Sequence, residues 1–241
     1  MRWAQAPGIL GEIELSRILE RRPLVEGVVI VLSILLAFAI DAAWDYRVAR
    51  AFEEELLNSL LQEYGGNRAT LERTVRRVEG DIERIDAFYA MRPEQLVDLP
   101  ADSANAYWGA LSRPLTFQLA SGATATALSA GNLDLIRDRQ LRELVAGWPA
   151  RAEDIEERAQ VMVGLEGTWY DFVPTRGWAQ DALGPVRGAD LPEPALLRGA
   201  REDSEAKARV AMRMRAAQVY VTQMRELIER VDSTLLLLGQ R

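Results

Sequence analysis

The stretch from Leu24 to Trp44 constrains this chain most, because its centre, Gly27 to Ile40, carries no charged side chain. A helix rises about 1.5 Å per residue, so a segment of this length reaches roughly 30 Å, the thickness of a bilayer's hydrocarbon core. No other stretch of the 241 residues is comparable, and the residues after Trp44 are polar enough for water. The expected organisation is an N-terminal segment over 1–23, a transmembrane helix over 24–44 and a soluble domain over 45–241.

A cleaved signal peptide is the alternative to an anchor. Ala37-Phe38-Ala39 has the small-x-small form of a cleavage site, and the uncharged centre is short enough for a signal sequence. Against cleavage, Glu12, Glu14 and Glu20 precede the segment, and its apolar character runs on through Ala42, Ala43 and Trp44 without a turn signal. An uncleaved anchor is therefore preferred. Arg2, Arg17, Arg21 and Arg22 lie before it and only Arg47 and Arg50 come closely after. The positive-inside bias then keeps the N-terminus in the cytoplasm and exports the C-terminal domain. Trp44 and Tyr46 suit the far interface, and Pro23 suits a first helical turn. Ile9, Leu10 and Ile13 form one side of a short interfacial helix at most.

Three carboxylates sit at the edges of the anchor. Glu26 is near its start, and Asp41 and Asp45 are four residues apart and share a face. Either they only reach interfacial water or they mark a membrane-helix interface in an oligomer, since ionisable groups inside a bilayer are costly.

Composition excludes much chemistry. The chain has no histidine and no cysteine, which removes imidazole and thiol nucleophiles, disulfides, and zinc or haem sites built on those ligands. Lys207 is the single lysine; every other basic residue is arginine. A net charge of −7 argues against nucleic acid as a partner. Arg73, Arg76, Arg77 and Arg84 cluster, yet Glu72, Glu79, Asp81 and Glu83 alternate with them, as on a solvated helix face. Neither Gly65-Gly66 nor the small-residue stretch at 122–131 has the spacing of a phosphate-binding loop; glycine among small neighbours is expected to mark close helix packing. Asp102 to Asn105 lacks the ligand run of a calcium loop. No cofactor, metal or catalytic residue is expected.

Helical periodicity dominates the rest. Leu57, Leu60 and Tyr64 lead into Leu71, Val75, Val78, Ile82, Ile85 and Tyr89 at alternating gaps of four and three. Gly65-Gly66 between them is expected to kink or break the helix, at about 2 kcal/mol against two alanines. Shorter helices are expected near Ser103–Ser112 and Ala120–Ala130, with Gly131 as C-cap. Asp138 is an N-cap for a helix lined by Leu141, Leu144, Val145, Trp148, Ala152, Ile155, Ala159, Met162 and Leu165, with a kink or a short break near Gly147 expected from Pro149. Val210, Met214, Ala217, Val221, Met224, Ile228, Val231 and Leu235 form a heptad seam in the last helix. That seam suits packing within the chain better than a dimeric coiled coil, because the Leu71–Tyr89 stripe offers a partner. From Phe172 to Pro194 prolines and glycines crowd into a long connection. Trp169, Tyr170, Phe172 and Trp178 gather at its start, as a minicore or an interaction surface. The fold class is all-α: one transmembrane helix continuing into an up-and-down helical bundle.

Two stretches, Asp-Ala-Ala-Trp-Asp-Tyr-Arg at 41–47 and Ser-Ala-Gly-Asn-Leu-Asp-Leu-Ile-Arg-Asp at 129–138 with Leu141-Arg142 just after it, carry a resemblance. Over residues 24–165 the chain resembles an uncharacterised family of bacterial single-pass membrane-anchored helical proteins. The resemblance implies a bacterial membrane origin and brings no activity and no site residues.

The functional expectation is a membrane-anchored scaffold or protein-interaction module of the bacterial cell envelope, placed in the plasma membrane with its bundle outside the cytoplasm. Its partners would be the lipid bilayer and either another protein or further copies of itself. Alternatives are a subunit or accessory of an oligomeric channel, with Glu26 and Asp41 at a shared interface, and a ligand-sensing bundle. An enzyme built on Glu153, Asp154, Glu156 and Glu157 is disfavoured, since acid runs on helices are usually solvated faces.

Overall fold

The computed structural model describes residues 10–114, 116–179 and 193–240, with side chains from residue 26 onward. All regular structure among them is helical. The helices among the described residues are, in order, α1 (Leu10–Ala90), α2 (Pro93–Val97), α3 (Ala101–Ser112), α4 (Gly122–Ser129), α5 (Arg139–Ala146), α6 (Trp148–Phe172), α7 (Glu193–Glu202) and α8 (Ser204–Gly239). Short 3₁₀ turns occupy Asn132–Leu135 and Val173–Thr175. The chain divides into two compact units, Met1–Glu55 and Leu56–Arg241.

In the first unit, α1 holds a stretch long and apolar enough to cross a membrane, with a mean hydropathy of 2.3 over eighteen residues, none of them buried. Pro23 lies inside α1 and not in its first turn, because the helix already begins at Leu10. Arg50 lies over the Tyr46 ring and donates to Tyr46 Oη at 3.2 Å and to Glu53 at 3.0 Å.

The second unit buries two apolar clusters. The larger collects Leu60, Tyr64, Leu71, Val75 and Val78 of α1 with Leu141 and Val145 of α5, Trp148, Ile155 and Met162 of α6, and the inner face of α8. The smaller joins Ile85 and Phe88 at the end of α1 to Leu96, Leu111, Trp169, Phe172, Leu196 and Leu197. The buried face of α1 changes at its end. Tyr89, expected inside, is half-buried, while its neighbour Phe88 is fully buried. At 3.6 residues per turn Tyr89, eighteen residues after Leu71, keeps the azimuth of the stripe; Phe88 is buried instead because the end of α1 packs into the smaller cluster, against Leu96, Leu111, Leu196 and Leu197.

Gly65-Gly66 neither breaks nor ends α1. Leu60 and Tyr64 before the pair and Leu71 and Val75 after it enter the same core, and that packing outweighs the weak helix propensity of glycine. A Cβ added at Gly65, Gly66 or Gly122 would meet no atom within 4 Å, so these glycines do not mark close packing. Gly131 sits at φ 68° just after α4, the left-handed position where a side chain is strained. Asp138 caps α5, accepting from the Leu141 N–H at 2.9 Å. The α5–α6 break falls at Gly147, with Pro149 in the first turn of α6, where a missing N–H costs nothing.

The seam on α8 packs within the chain. Val210, Ala217, Val221, Met224 and Val231 are buried. Tyr220, Leu227, Thr234 and Leu238 are buried beside them, so the inward face is about twice as wide as a coiled-coil seam. Arg68 pairs with Asp232, and Arg225 with Glu79, across α1 and α8.

Candidate functional site

The four aromatics at the end of α6 divide between core and surface. Trp169 and Phe172 are buried in the smaller cluster. Tyr170 is half exposed, and its hydroxyl donates to the Ser112 carbonyl at 3.0 Å. Trp178 is partly buried against Gly199, where a Cβ would come within 2.3 Å of the indole. Its Nε1 donates to Asp203 at 3.1 Å. Outside Phe172, the guanidiniums of Arg176 and Arg209 stand 4.2 and 4.6 Å from the ring centroid. Both are also paired with Glu205, and Arg176 with Asp203 at 3.5 Å as well, so two carboxylates balance the two cations around the ring.

Asp203 ties this corner together. It caps α8 by accepting from the Glu205 and Ala206 N–H groups at 2.8 and 3.0 Å. Burial acts to raise its pKa, but the Ala206 and Trp178 hydrogen bonds and nearby Arg176 outweigh that and lower it.

Three arginines have a role that the repeat pattern alone does not reveal. Arg201 of α7 donates to the carbonyls of Phe88 (2.9 Å), Tyr89 (3.2 Å) and Met91, at the end of α1. Arg213 of α8 donates to Leu111 and Arg113 at the end of α3, beside the Tyr170 hydroxyl. Arg142 closes the first 3₁₀ turn through the Ile136 carbonyl at 3.1 and 2.9 Å. The last carbonyls of a helix lack intrahelical partners and carry the negative end of its dipole, so a cation with several fixed donors is well suited there. Arg213, expected to fall away from the buried seam, is part-buried, and burial lowers its pKa against the opposing effect of Glu166 and Asp81. Glu166 is buried in turn, which raises its pKa, with Arg213 pulling the other way.

A second polar clamp holds the irregular segment before α4. Asn67 is buried; its side chain donates to the Ala120 carbonyl and accepts from the Ala120 N–H, both at 2.7 Å. One turn earlier, Glu63 accepts from the N–H groups of Ala123 (2.6 Å) and Thr124 (3.3 Å) and from the Thr124 hydroxyl (2.6 Å). A carboxylate from α1 thereby caps α4, whose own N-cap residue, Ser121, makes no side-chain cap. Glu156 accepts from the Leu119 N–H at 3.0 Å, so one member of the acid run on α6 is a structural acceptor. Glu153, Asp154 and Glu157 stay exposed.

Glu26, Asp41 and Asp45 are exposed side chains on the first unit. Among the described residues, no group of three or more acidic side chains is placed to hold a metal ion. Gly184, Pro185, Gly188 and Pro192 of the expected long connection lie outside the described residues. Compared with known protein families, curated proteins and solved structures, the chain matches none.

Proposed function

We propose that this chain is a scaffold or protein-interaction module of the bacterial cell envelope, anchored in the plasma membrane by residues 24–44 and acting without catalysis. The anchor continues into an up-and-down bundle that lies outside the cytoplasm. The observation that supports this most is the side-chain exposure of Val28 to Ile40, where each large apolar residue is at least half exposed. So much continuous apolar surface is costly in water and costs nothing in hydrocarbon. The resemblance of 41–47 and 129–138 to bacterial single-anchor proteins points the same way.

The bundle's polar groups support an interaction role over catalysis, because Glu63, Asn67, Asp203, Arg201 and Arg213 spend their hydrogen bonds on helix ends and connections. Tyr170 is the aromatic that keeps exposed ring surface beside this framework, and we place the partner surface there. The partner is another protein or a further copy of the chain, and no nucleic acid is involved.

Two measurements test the reading. A cysteine at the exposed Gln160, in a chain that has no other, is expected to react with a membrane-impermeant maleimide on spheroplasts without lysis. Reaction only after lysis would reverse the orientation. A photo-crosslinking amino acid at Tyr170 is expected to give a discrete protein adduct in intact cells. Absence of any adduct would remove the interaction role.

A further inference from the structure

One apolar surface of the bundle is left uncovered by the described residues. α6 and α8 pack along each other, and on their outer side lies a groove of about 640 Å³. Met162 and Tyr220, both buried, form its floor, while Val161 and Met212 (61% and 60% exposed) stand as its walls together with Val219. Its volume falls within the range of about 300–1,000 Å³ typical of small-molecule sites.

Charge narrows the ligand. The chain as a whole is acidic, yet among the described residues the charged ones lining this groove are both cationic, Arg158 and Arg215. Arg158 is engaged by Asp154 at 3.2 Å. Arg215 makes no hydrogen bond or ion pair with any described residue. An apolar trough with an unpaired cation at its rim is complementary to an apolar body with one anionic end.

Length narrows it further. From Ala211 to Gln223 the groove runs about 18 Å along α8. It is bounded by charge, with Glu205 and Arg209 on one side and Glu226 and Arg230 on the other. A stable dimer buries about 800 Å² per partner, and an apolar strip this short, one furrow wide, is too small to carry one. We infer that the α6–α8 groove binds a single fatty acid, its acyl chain against Val161, Met212 and Val219 and its carboxylate on Arg215. This goes beyond the scaffold reading and does not depend on it.

The test uses the full chain reconstituted in phosphatidylcholine nanodiscs and palmitate bearing a photoreactive diazirine in its tail. After irradiation and digestion, adducts are expected on the α6 and α8 peptides containing Val161 and Met212, and unlabelled palmitate should compete them away. Methyl palmitate should compete about tenfold less well, and Arg215→Gln should weaken wild-type labelling by about the same factor, as loss of a charge-assisted hydrogen bond predicts. Met212→Glu and Val219→Glu alter exposed side chains and should abolish the adducts while leaving the helical circular-dichroism melt in place. Labelling confined to the anchor peptide, or unchanged in both glutamate variants, would overturn the assignment. So would equal competition by the methyl ester, or a groove found occupied by a second copy in light scattering. Failure of the chain to enter the nanodiscs reports on the anchor alone, and the same assay then runs in buffer.

Discussion

One helix, α1, contains two regions that obey different rules. Between Val28 and Ile40 large apolar side chains surround the helix and all are exposed; between Leu60 and Phe88 inward-facing positions recur every three or four residues, apolar except for Asn67 in the step from Tyr64 to Leu71. Helical geometry is the same in both. The difference lies in the solvent each can tolerate: an all-round apolar surface has no face to turn to water, whereas a stripe buries itself against other helices and leaves charges outside. Hydrophobicity by itself does not make a core; its angular distribution does.

The largest expected effect breaks this comparison directly. Leu71→Ala, at a fully buried position, should cost the bundle about 2–5 kcal/mol in denaturant unfolding. Leu35→Ala, at 58% exposure, should leave the same transition within about 0.5 kcal/mol. Equal losses would mean that Leu35 belongs to a core in water. Leu35→Arg sharpens the contrast, since it should oppose membrane insertion by about 2.5–3.5 kcal/mol and release the chain in alkaline carbonate extraction.

Next comes the clamp on the second region. Asn67→Ala leaves the Ala120 N–H without its acceptor and the Ala120 carbonyl with only the Trp148 Nε1 donor at 3.3 Å, and a loss of about 1–3 kcal/mol is expected in thermal unfolding. A change near zero would show that the segment before α4 is held by its apolar contacts alone.

Smaller and opposite in sign, Gly65→Ala and Gly66→Ala should each stabilise the bundle by about 1 kcal/mol, because the helix is continuous there and a methyl group meets nothing. Gly199→Ala should destabilise it through contact with Trp178. If the two alanines destabilise, the pair is a working hinge within α1.

The smallest effect is in the pH profile. Asp203 has a lowered pKa in the folded chain, so its contribution is present above the unfolded carboxylate range and is lost as pH falls through the folded value. Asp203→Asn retains an N-cap oxygen and should flatten the acid side of the stability curve, measured by melting temperature from pH 3 to 7. An unchanged slope would assign the acid sensitivity to other carboxylates.

Particular residues show how far the sequence can be read. The α5–α6 boundary is legible in Asp138, Gly147 and Pro149, each of which acts through its own backbone neighbours, and the inward face of α6 is legible in spacing from Trp148 to Met162, though not at the buried Glu166. The seam on α8 is legible as a stripe, but its true width is not, because Tyr220, Leu227 and Thr234 are buried by neighbours distant in sequence. Gly65-Gly66 has the local look of a break or a packing mark and is neither, since local propensity says nothing of a core that holds both flanks. Trp169 and Tyr170 are adjacent and look equivalent in the sequence, yet one is buried and the other half exposed.

Local chemistry and periodicity determined that the chain is helical, that one stretch is long and apolar enough to cross a membrane, and where several helices begin and end. These are properties of backbone geometry and of side chains within a turn or two of each other. The tertiary structure alone decided that Arg201 and Arg213 close helices about a hundred residues away, that Glu63 caps α4 across sixty residues, and that Arg215 stands beside an apolar groove with no partner among the described residues. An arginine or glutamate has the same solvated appearance in any charged run. Its role depends on which orphan carbonyl or amide the fold brings within about 3 Å, and that distance is not written in the spacing of the residues.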